Sequence, residues 1–134
     1  MADSRLAGVK YYGLYYSASW CGPCRQFTPG FISTYRQIRQ KYPEFEVVFI
    51  SADRSVADMR DYMKADAMPW TALKYDLRGG NPELLRYAGA GIPCLVLVDA
   101  AGRVLADSYN GDDYIGPDHV LRETIRILDK NRGG

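Results

Sequence analysis

Cys21 and Cys24 are separated by two residues and form the clearest chemical signal in the sequence. The segment before them suits a buried strand and an amphipathic pattern follows, so the pair lies where a strand passes into a helix. At a helix N-terminus, unpaired N–H groups and the helix dipole stabilise an anion such as a thiolate. Such a position lowers a cysteine pKa from about 8.5 toward roughly 7 or below. We therefore expect Cys21 to be the nucleophile and Cys24 to resolve the mixed disulfide that it forms.

A Cys-x-x-Cys pair can also supply half of a structural zinc site. Such a site needs four ligands, and the further candidates are Cys94 and the single histidine, His119. Neither stands in a paired spacing, so the ligand count disfavours zinc. We therefore expect no metal and no organic cofactor.

The composition is that of an ordinary globular protein. The chain has 134 residues, of which 47% are apolar and 25% charged, and its net charge is +1. We expect a single domain over residues 1–134 with its core at about residues 10–130. The balanced charge offers no basic surface for nucleic acid or for an anionic membrane. Three cysteines are too few for a disulfide scaffold.

The sequence shows neither a membrane-spanning segment nor a secretory leader. Its longest apolar stretch is residues 11–18, well short of the roughly 20 residues of a spanning helix. No basic segment followed by an apolar run opens the chain. We expect a cytoplasmic monomer, or a periplasmic one if a leader has been removed.

Periodicity and turn signals predict an α/β protein. The predicted strands are residues 10–17, 45–51, 94–98 and 104–106, and the predicted helices are residues 24–41, 56–65, 81–87 and 117–129. Pro29 lies inside the first helix and should kink it. Helical crossovers imply parallel strands, whereas the turn at residues 99–102 implies an antiparallel hairpin, so the sheet should be mixed.

Several segments resemble a known family. Trp20-Cys21-Gly22-Pro23-Cys24 is similar to the active-site motif of thioredoxin, and Gly91-Ile92-Pro93 resembles that family's cis-proline loop. Residues 16–21, 24–29, 45–49 and 68–70 are similar to the tryparedoxin and nucleoredoxin branch, and the resemblance covers roughly residues 10–128. It implies a thioredoxin fold, with a central mixed β-sheet flanked by helices on both faces.

The resemblance also assigns roles beside the cysteines. Gly22 and Pro23 form a short, stiff turn, and Pro93 follows a cis peptide bond. The backbone of Ile92 would then lie next to the thiols, where an extended substrate segment could pair with it. Independently of the resemblance, Trp20 and Trp70 either form a flat apolar platform beside Cys21 for partner proteins or are ordinary core residues.

Three positions depart from the family pattern. Gly22 stands where tryparedoxins have proline, and Tyr15 stands where thioredoxin has a buried aspartate. Cys94 follows Pro93 where thioredoxins commonly have threonine. Cys94 is either a third redox-active thiol near Cys21 or a small buried apolar residue at the start of a strand.

We expect a thiol–disulfide oxidoreductase that reduces protein disulfides and is itself restored by an external thiol reductant. Its potential should fall between roughly −270 and −200 mV, the range of thioredoxins and glutaredoxins. One alternative is an extracytoplasmic thioredoxin-like reductase or disulfide isomerase. Another is a non-catalytic, redox-dependent binding module of the nucleoredoxin type.

Overall fold

The fold is built on a five-stranded sheet seen in a computed structural model, which describes residues 8–75, 91–111 and 113–133. Its elements in chain order are β1 Tyr11–Ser17, α1 Gly22–Lys41, β2 Phe45–Ser51, α2 Val56–Ala65, β3 Thr71–Ala72, β4 Cys94–Asp99, β5 Val104–Asp107, β6 Tyr109–Asn110, β7 Asp113–Tyr114 and α3 Pro117–Gly133. Strands β6 and β7 form a separate two-stranded ribbon.

The sheet has the order β3-β2-β1-β4-β5. Strands β1, β2 and β3 run parallel to one another, whereas β4 pairs antiparallel with both β1 and β5. The predicted mixed sheet is therefore confirmed. Because β1 is central, the residues that follow it lie at the middle of the sheet edge.

Alternating side chains divide the sheet into two apolar faces. One face carries Tyr15, Phe49 and Leu97, which pack in a large cluster with the helices. The other face carries Leu14 and Val96 in a second cluster. Strands β2 and β4 are almost wholly buried because both of their faces are covered.

The three described helices all pack on the first of these faces. Helix α1 buries Phe31, Tyr35 and Ile38, whose spacing of three and four places them on one stripe. Helix α2 is capped by Ser55, whose hydroxyl accepts the backbone N–H of Asp58 at 3.1 Å. The helix predicted at residues 81–87 lies outside the described residues.

The turn between β4 and β5 is closed by the Asp99 carboxylate. It accepts the backbone N–H groups of Arg103 and Ala101, each at 2.9 Å. The bond from Arg103 holds the pKa of the Asp99 carboxyl below its ordinary value. Gly102 has a φ of 84°, a conformation that favours glycine. The predicted hairpin is thus confirmed.

Element boundaries differ from the sequence predictions mainly at their ends. Helix α1 begins at Gly22 rather than Cys24 because Cys21 caps it and Pro23 fits its first turn. Helix α3 continues to Gly133, and β3, β6 and β7 were not predicted. Pro29 lies within the continuous helix α1, and a kink there stays a prediction.

Within the described ranges, no helix has both the length and the apolar character needed to cross a bilayer.

Candidate active site

Cys21 and Cys24 lie at the start of α1 and are joined in a disulfide, with their Cα atoms 5.2 Å apart. Cys21 is the N-cap residue, and its Sγ accepts the backbone N–H of Cys24 at 3.2 Å. Cys21 is 6% exposed, whereas Cys24 is fully buried. An incoming disulfide therefore reaches Cys21 first, and Cys24 is placed to react only with Cys21.

The surroundings of Cys21 favour a negative charge on its sulfur. Gly22 and Pro23 are exposed and open the helix directly after it. The first turn of α1 carries no acidic side chain. The positive end of the helix dipole therefore acts on the Cys21 sulfur without an opposing carboxylate in that turn.

The cis-proline loop, residues 91–93, lies against the disulfide. The Ile92–Pro93 peptide bond is cis, which confirms the sequence prediction. The carbonyl oxygen of Ile92 lies 3.7 Å from the Sγ of Cys21. Ile92 is half-buried and packs against the small cluster of Ala18, Cys21 and Cys24, while Pro93 is buried.

Trp20 lies at the surface beside the disulfide. It is 55% exposed, and its indole N–H donates to the carbonyl of Ala52 at 3.1 Å. The Arg54 guanidinium lies 5.9 Å from the centre of one face of the ring. The side chain is thus fixed in orientation but open to a partner.

Trp70 does not lie on this surface, so the hypothesis of a platform of Trp20 and Trp70 is wrong and the core alternative holds for Trp70. Trp70 is only 2% exposed. Its ring packs between α1 and the sheet, 4.7 Å from the ring centre of Phe31 and 5.3 Å from that of Tyr35. A large aromatic side chain next to an edge strand fills the core there instead of docking partners.

Cys94 is fully buried and lies outside the disulfide. It begins β4 opposite Tyr16 and packs in the cluster on the sheet face away from the described helices. Cys21 and Cys24 belong to a different cluster, and Ile92 packs against both groups. Burial agrees with the apolar interpretation of Cys94, and redox activity of this thiol stays a prediction.

Asp53 is a site residue that sequence reasoning missed. Its buried carboxylate accepts the backbone N–H of Ser19 at 2.8 Å and the Ser19 hydroxyl at 2.6 Å. The other oxygen accepts the Ser51 hydroxyl at 2.6 Å. Asp53 therefore ties the end of β2 to the turn before Trp20. Its place just after a buried strand parallel to β1 is the signal that could have revealed it, since parallel strands end at one edge.

A chain of four buried hydroxyl groups lies beside Cys24. The Thr28 hydroxyl donates to the carbonyl of Cys24 at 2.8 Å. Because a hydroxyl has one proton, Thr28 must accept from Tyr15 at 2.6 Å and from Tyr62 at 3.1 Å. Tyr62 in turn is bonded to Ser17 at 2.7 Å. These neutral groups occupy the region where the thioredoxin pattern has a buried carboxylate.

In the part of the chain that the structure describes, no three His, Cys, Asp or Glu side chains come together as a metal site would require.

Comparison with known proteins agrees with this geometry. Residues 8–104 match the thioredoxin-like family. Nucleoredoxin from Bos taurus is 38% identical over 137 residues, an alignment covering 98% of this chain and 31% of that protein. Tryparedoxin from Trypanosoma brucei brucei is 43% identical over 88 residues, covering 65% of this chain and 59% of that protein. A structure of tryparedoxin II complexed with glutathionylspermidine has a TM-score of 0.68 at 36% identity, covering 78% of this chain and 72% of that one.

A disulfide that caps a helix beside a cis-proline loop, on a mixed five-stranded sheet, defines the thioredoxin-fold class of redox proteins. The chain belongs to the thioredoxin-like family, and its homologues include nucleoredoxins and tryparedoxins. It spans between about a sixth and a third of the length of the nucleoredoxins that it matches.

Proposed function

We propose that the protein reduces disulfide bonds in other proteins by dithiol–disulfide exchange. The observation that carries this proposal is the position of the cysteine pair. Cys21 caps α1 at the surface edge, and Cys24 lies buried behind it within bonding distance. One sulfur is thus accessible to a partner and the other only to the first.

The reaction begins from the reduced pair. The Cys21 thiolate attacks one sulfur of the substrate disulfide, forms a mixed disulfide and releases the other substrate sulfur as a thiolate. Cys24 then loses its proton and attacks the Cys21 sulfur, forming the Cys21–Cys24 bond and releasing the second substrate thiolate. Two electrons pass to the substrate, and two protons from the cysteines or the solvent complete its thiols.

An external thiol must then reduce the Cys21–Cys24 bond. We propose a low-molecular-mass thiol of the glutathione type as one reductant, because tryparedoxin II is known in complex with glutathionylspermidine. Cys21 is again the sulfur attacked, since Cys24 is fully buried. We further propose that residues 1–134 act as one monomeric domain.

Reduction of insulin by dithiothreitol in the presence of the protein tests the proposal. Wild-type protein is expected to accelerate it, and Cys21→Ser to lose the acceleration completely. Cys24→Ser should hold its substrate as a stable mixed disulfide on Cys21. Cys94→Ala is the matched control, because it removes one cysteine and leaves the pair intact. Equal rates for wild type and Cys21→Ser would contradict the proposal.

A redox-dependent binding module is the second candidate, and the exposed Trp20 ring beside Cys21 favours it. In that case the oxidised and reduced proteins would differ in partner binding, and wild type would not accelerate insulin reduction. Trp20→Ala would then abolish binding while the disulfide still formed.

A further inference from the structure

Strands β6 and β7 form a small ribbon that no part of the mechanism above uses. Tyr109 and Tyr114 are directly paired across it. Their rings meet edge to face, with centroids 5.2 Å apart and planes inclined by 62°. The two phenol groups are therefore held as one unit.

Both phenols reach the cis-proline loop. The Tyr109 hydroxyl accepts the backbone N–H of Gly91 and lies 3.3 Å from the Gly91 carbonyl, to which it donates. The Tyr114 hydroxyl donates to the carbonyl of Pro93 at 2.6 Å. A tyrosine hydroxyl is protonated and can donate at neutral pH, and partial desolvation raises the pKa of the Tyr114 phenol further. The residues on both sides of Ile92 are thus hydrogen-bonded to the ribbon.

The ribbon itself is anchored to the sheet through Ser108. This buried residue exchanges hydrogen bonds with the backbone of Leu95 in β4 at 2.8 and 2.9 Å. Its carbonyl accepts the N–H groups of Ile115 and Gly116, at 2.8 and 3.0 Å, on the far side of the ribbon. The ribbon is largely exposed, but through Ser108 it is hydrogen-bonded to the buried strand β4.

Gly91 fits beside the Tyr109 hydroxyl because it has no side chain. A Cβ atom at this position would lie 2.9 Å from the Tyr109 hydroxyl oxygen, closer than real Cβ contacts come. The absence of a side chain lets the backbone approach the phenol closely enough to bond on both its N–H and C=O sides.

We propose that Tyr109 and Tyr114 are positioning residues that hold the cis-proline loop at Cys21 so that Ile92 is ready to pair with an extended segment of a protein substrate. The inference rests on the proposed function. When the loop is already held in place, a substrate backbone can pair with Ile92 without the entropic cost of ordering the loop on binding. A small disulfide needs no such pairing, so it is indifferent to the loop.

The experiment compares two substrates, insulin and 5,5′-dithiobis(2-nitrobenzoate), for wild type, Tyr109→Phe, Tyr114→Phe and the double variant. Loss of a hydrogen bond of this kind is expected to lower kcat/KM for insulin about fivefold in each single variant and more in the double variant. The decrease should fall mainly on KM. Rates with the small disulfide should stay within about twofold of wild type.

Tyr11→Phe is the matched control, because its hydroxyl bonds Asn131 at the opposite end of β1 and is remote from the loop. It should lower neither rate. Unchanged insulin kinetics in both loop variants would overturn the inference, and so would an equal fall with both substrates. A wild type inactive on both substrates would instead defeat the proposed function, and the inference with it.

A double-mutant cycle gives a second readout. Gly91→Ala pushes against the Tyr109 hydroxyl and should lower insulin kcat/KM in the wild-type background. In Tyr109→Phe the same substitution should cost less, because the oxygen that it meets is gone. Strictly additive effects would contradict the contact on which the inference depends.

Discussion

The Tyr15 phenol belongs to the buried hydroxyl chain beside Cys24. It is fully buried and bonds Thr28 at 2.6 Å. Burial raises the pKa of this phenol far above its ordinary value. Above about pH 10 the unfolded chain loses this proton while the folded chain retains it, so the stability contributed by the neutral phenol is present below that pH and is lost as pH rises.

Replacing Tyr15 by Phe removes the phenol hydroxyl, so the variant measures how much this group contributes to stability at each pH. At neutral pH the variant is expected to lose about 1 kcal/mol of unfolding free energy, because Thr28 keeps its bond from Tyr62 but loses one from Tyr15. Between pH 10 and 11.5 the wild type should lose stability more steeply than the variant, by up to about 1.4 kcal/mol per pH unit. Urea unfolding at each pH measures both.

Tyr11→Phe serves as the control for this series as well. It removes a partly exposed phenol from the same strand and leaves the hydroxyl chain beside Cys24 intact, so the alkaline loss of stability that burial of Tyr15 causes should remain in this variant. Identical slopes for wild type and Tyr15→Phe would show that folding does not raise the pKa of Tyr15, contrary to its burial.

At the scale of the element, the end of α2 carries a residue poorly suited to its conformation. Met68 N–H bonds the carbonyl of Met63 at 3.0 Å, and Ala67 N–H bonds that of Lys64 at 3.2 Å, a Schellman motif. Ala67 has a φ of 52°, in the left-handed region where a Cβ atom costs roughly 1–2 kcal/mol.

Ala67→Gly is therefore expected to stabilise the protein by about 1 kcal/mol, since the relieved strain exceeds the added freedom of the unfolded chain. Thermal and urea unfolding measure the gain. Ala65→Gly, at the last helical residue of the same element, is the control and should destabilise instead. A loss of stability in Ala67→Gly would contradict the strain argument.

The elements themselves show how far sequence patterns reach. Helix α2 was predicted with its observed bounds because Ser55 is a strong cap and the apolar period is clear. Strands β3, β6 and β7 have two residues each, too few to show any alternation. The pairing of β3 is decided by β2, which lies well before it in the sequence. Strands β6 and β7 pair locally with each other, but their contact with the cis-proline loop joins residues 18 and 21 positions apart.

The residues of the candidate site also differ in how far the sequence predicts them. The cysteine pair and the cis Ile92–Pro93 bond follow from local spacing and from the resemblance that it carries. The position of Trp70 stayed open because composition cannot tell a surface tryptophan from one that fills a gap between a helix and an edge strand. Asp53 was missed because its partners, Ser19 and Ser51, come together only when β1 and β2 pair.

At the scale of the whole molecule, the disulfide contributes little to folding because the loop that it closes is short. Cys21 and Cys24 are three positions apart, so cross-linking them removes little entropy from the unfolded chain. The chain-entropy relation gives about 2 kcal/mol for a loop of this size, against nearly 5 kcal/mol for a loop of about 100 residues. The helix dipole stabilises the Cys21 thiolate in the reduced fold and offsets part of that difference.

Reduction is therefore expected to lower the free energy of unfolding by about 1–2 kcal/mol and to leave the fold intact. Urea unfolding with and without a phosphine reductant measures the difference, at about pH 6, where exchange with Cys94 is slow. The Cys21→Ser, Cys24→Ser double variant should not respond to the reductant. A loss above about 4 kcal/mol, or a changed m-value, would mean that the disulfide holds more of the molecule than the short turn at the start of α1.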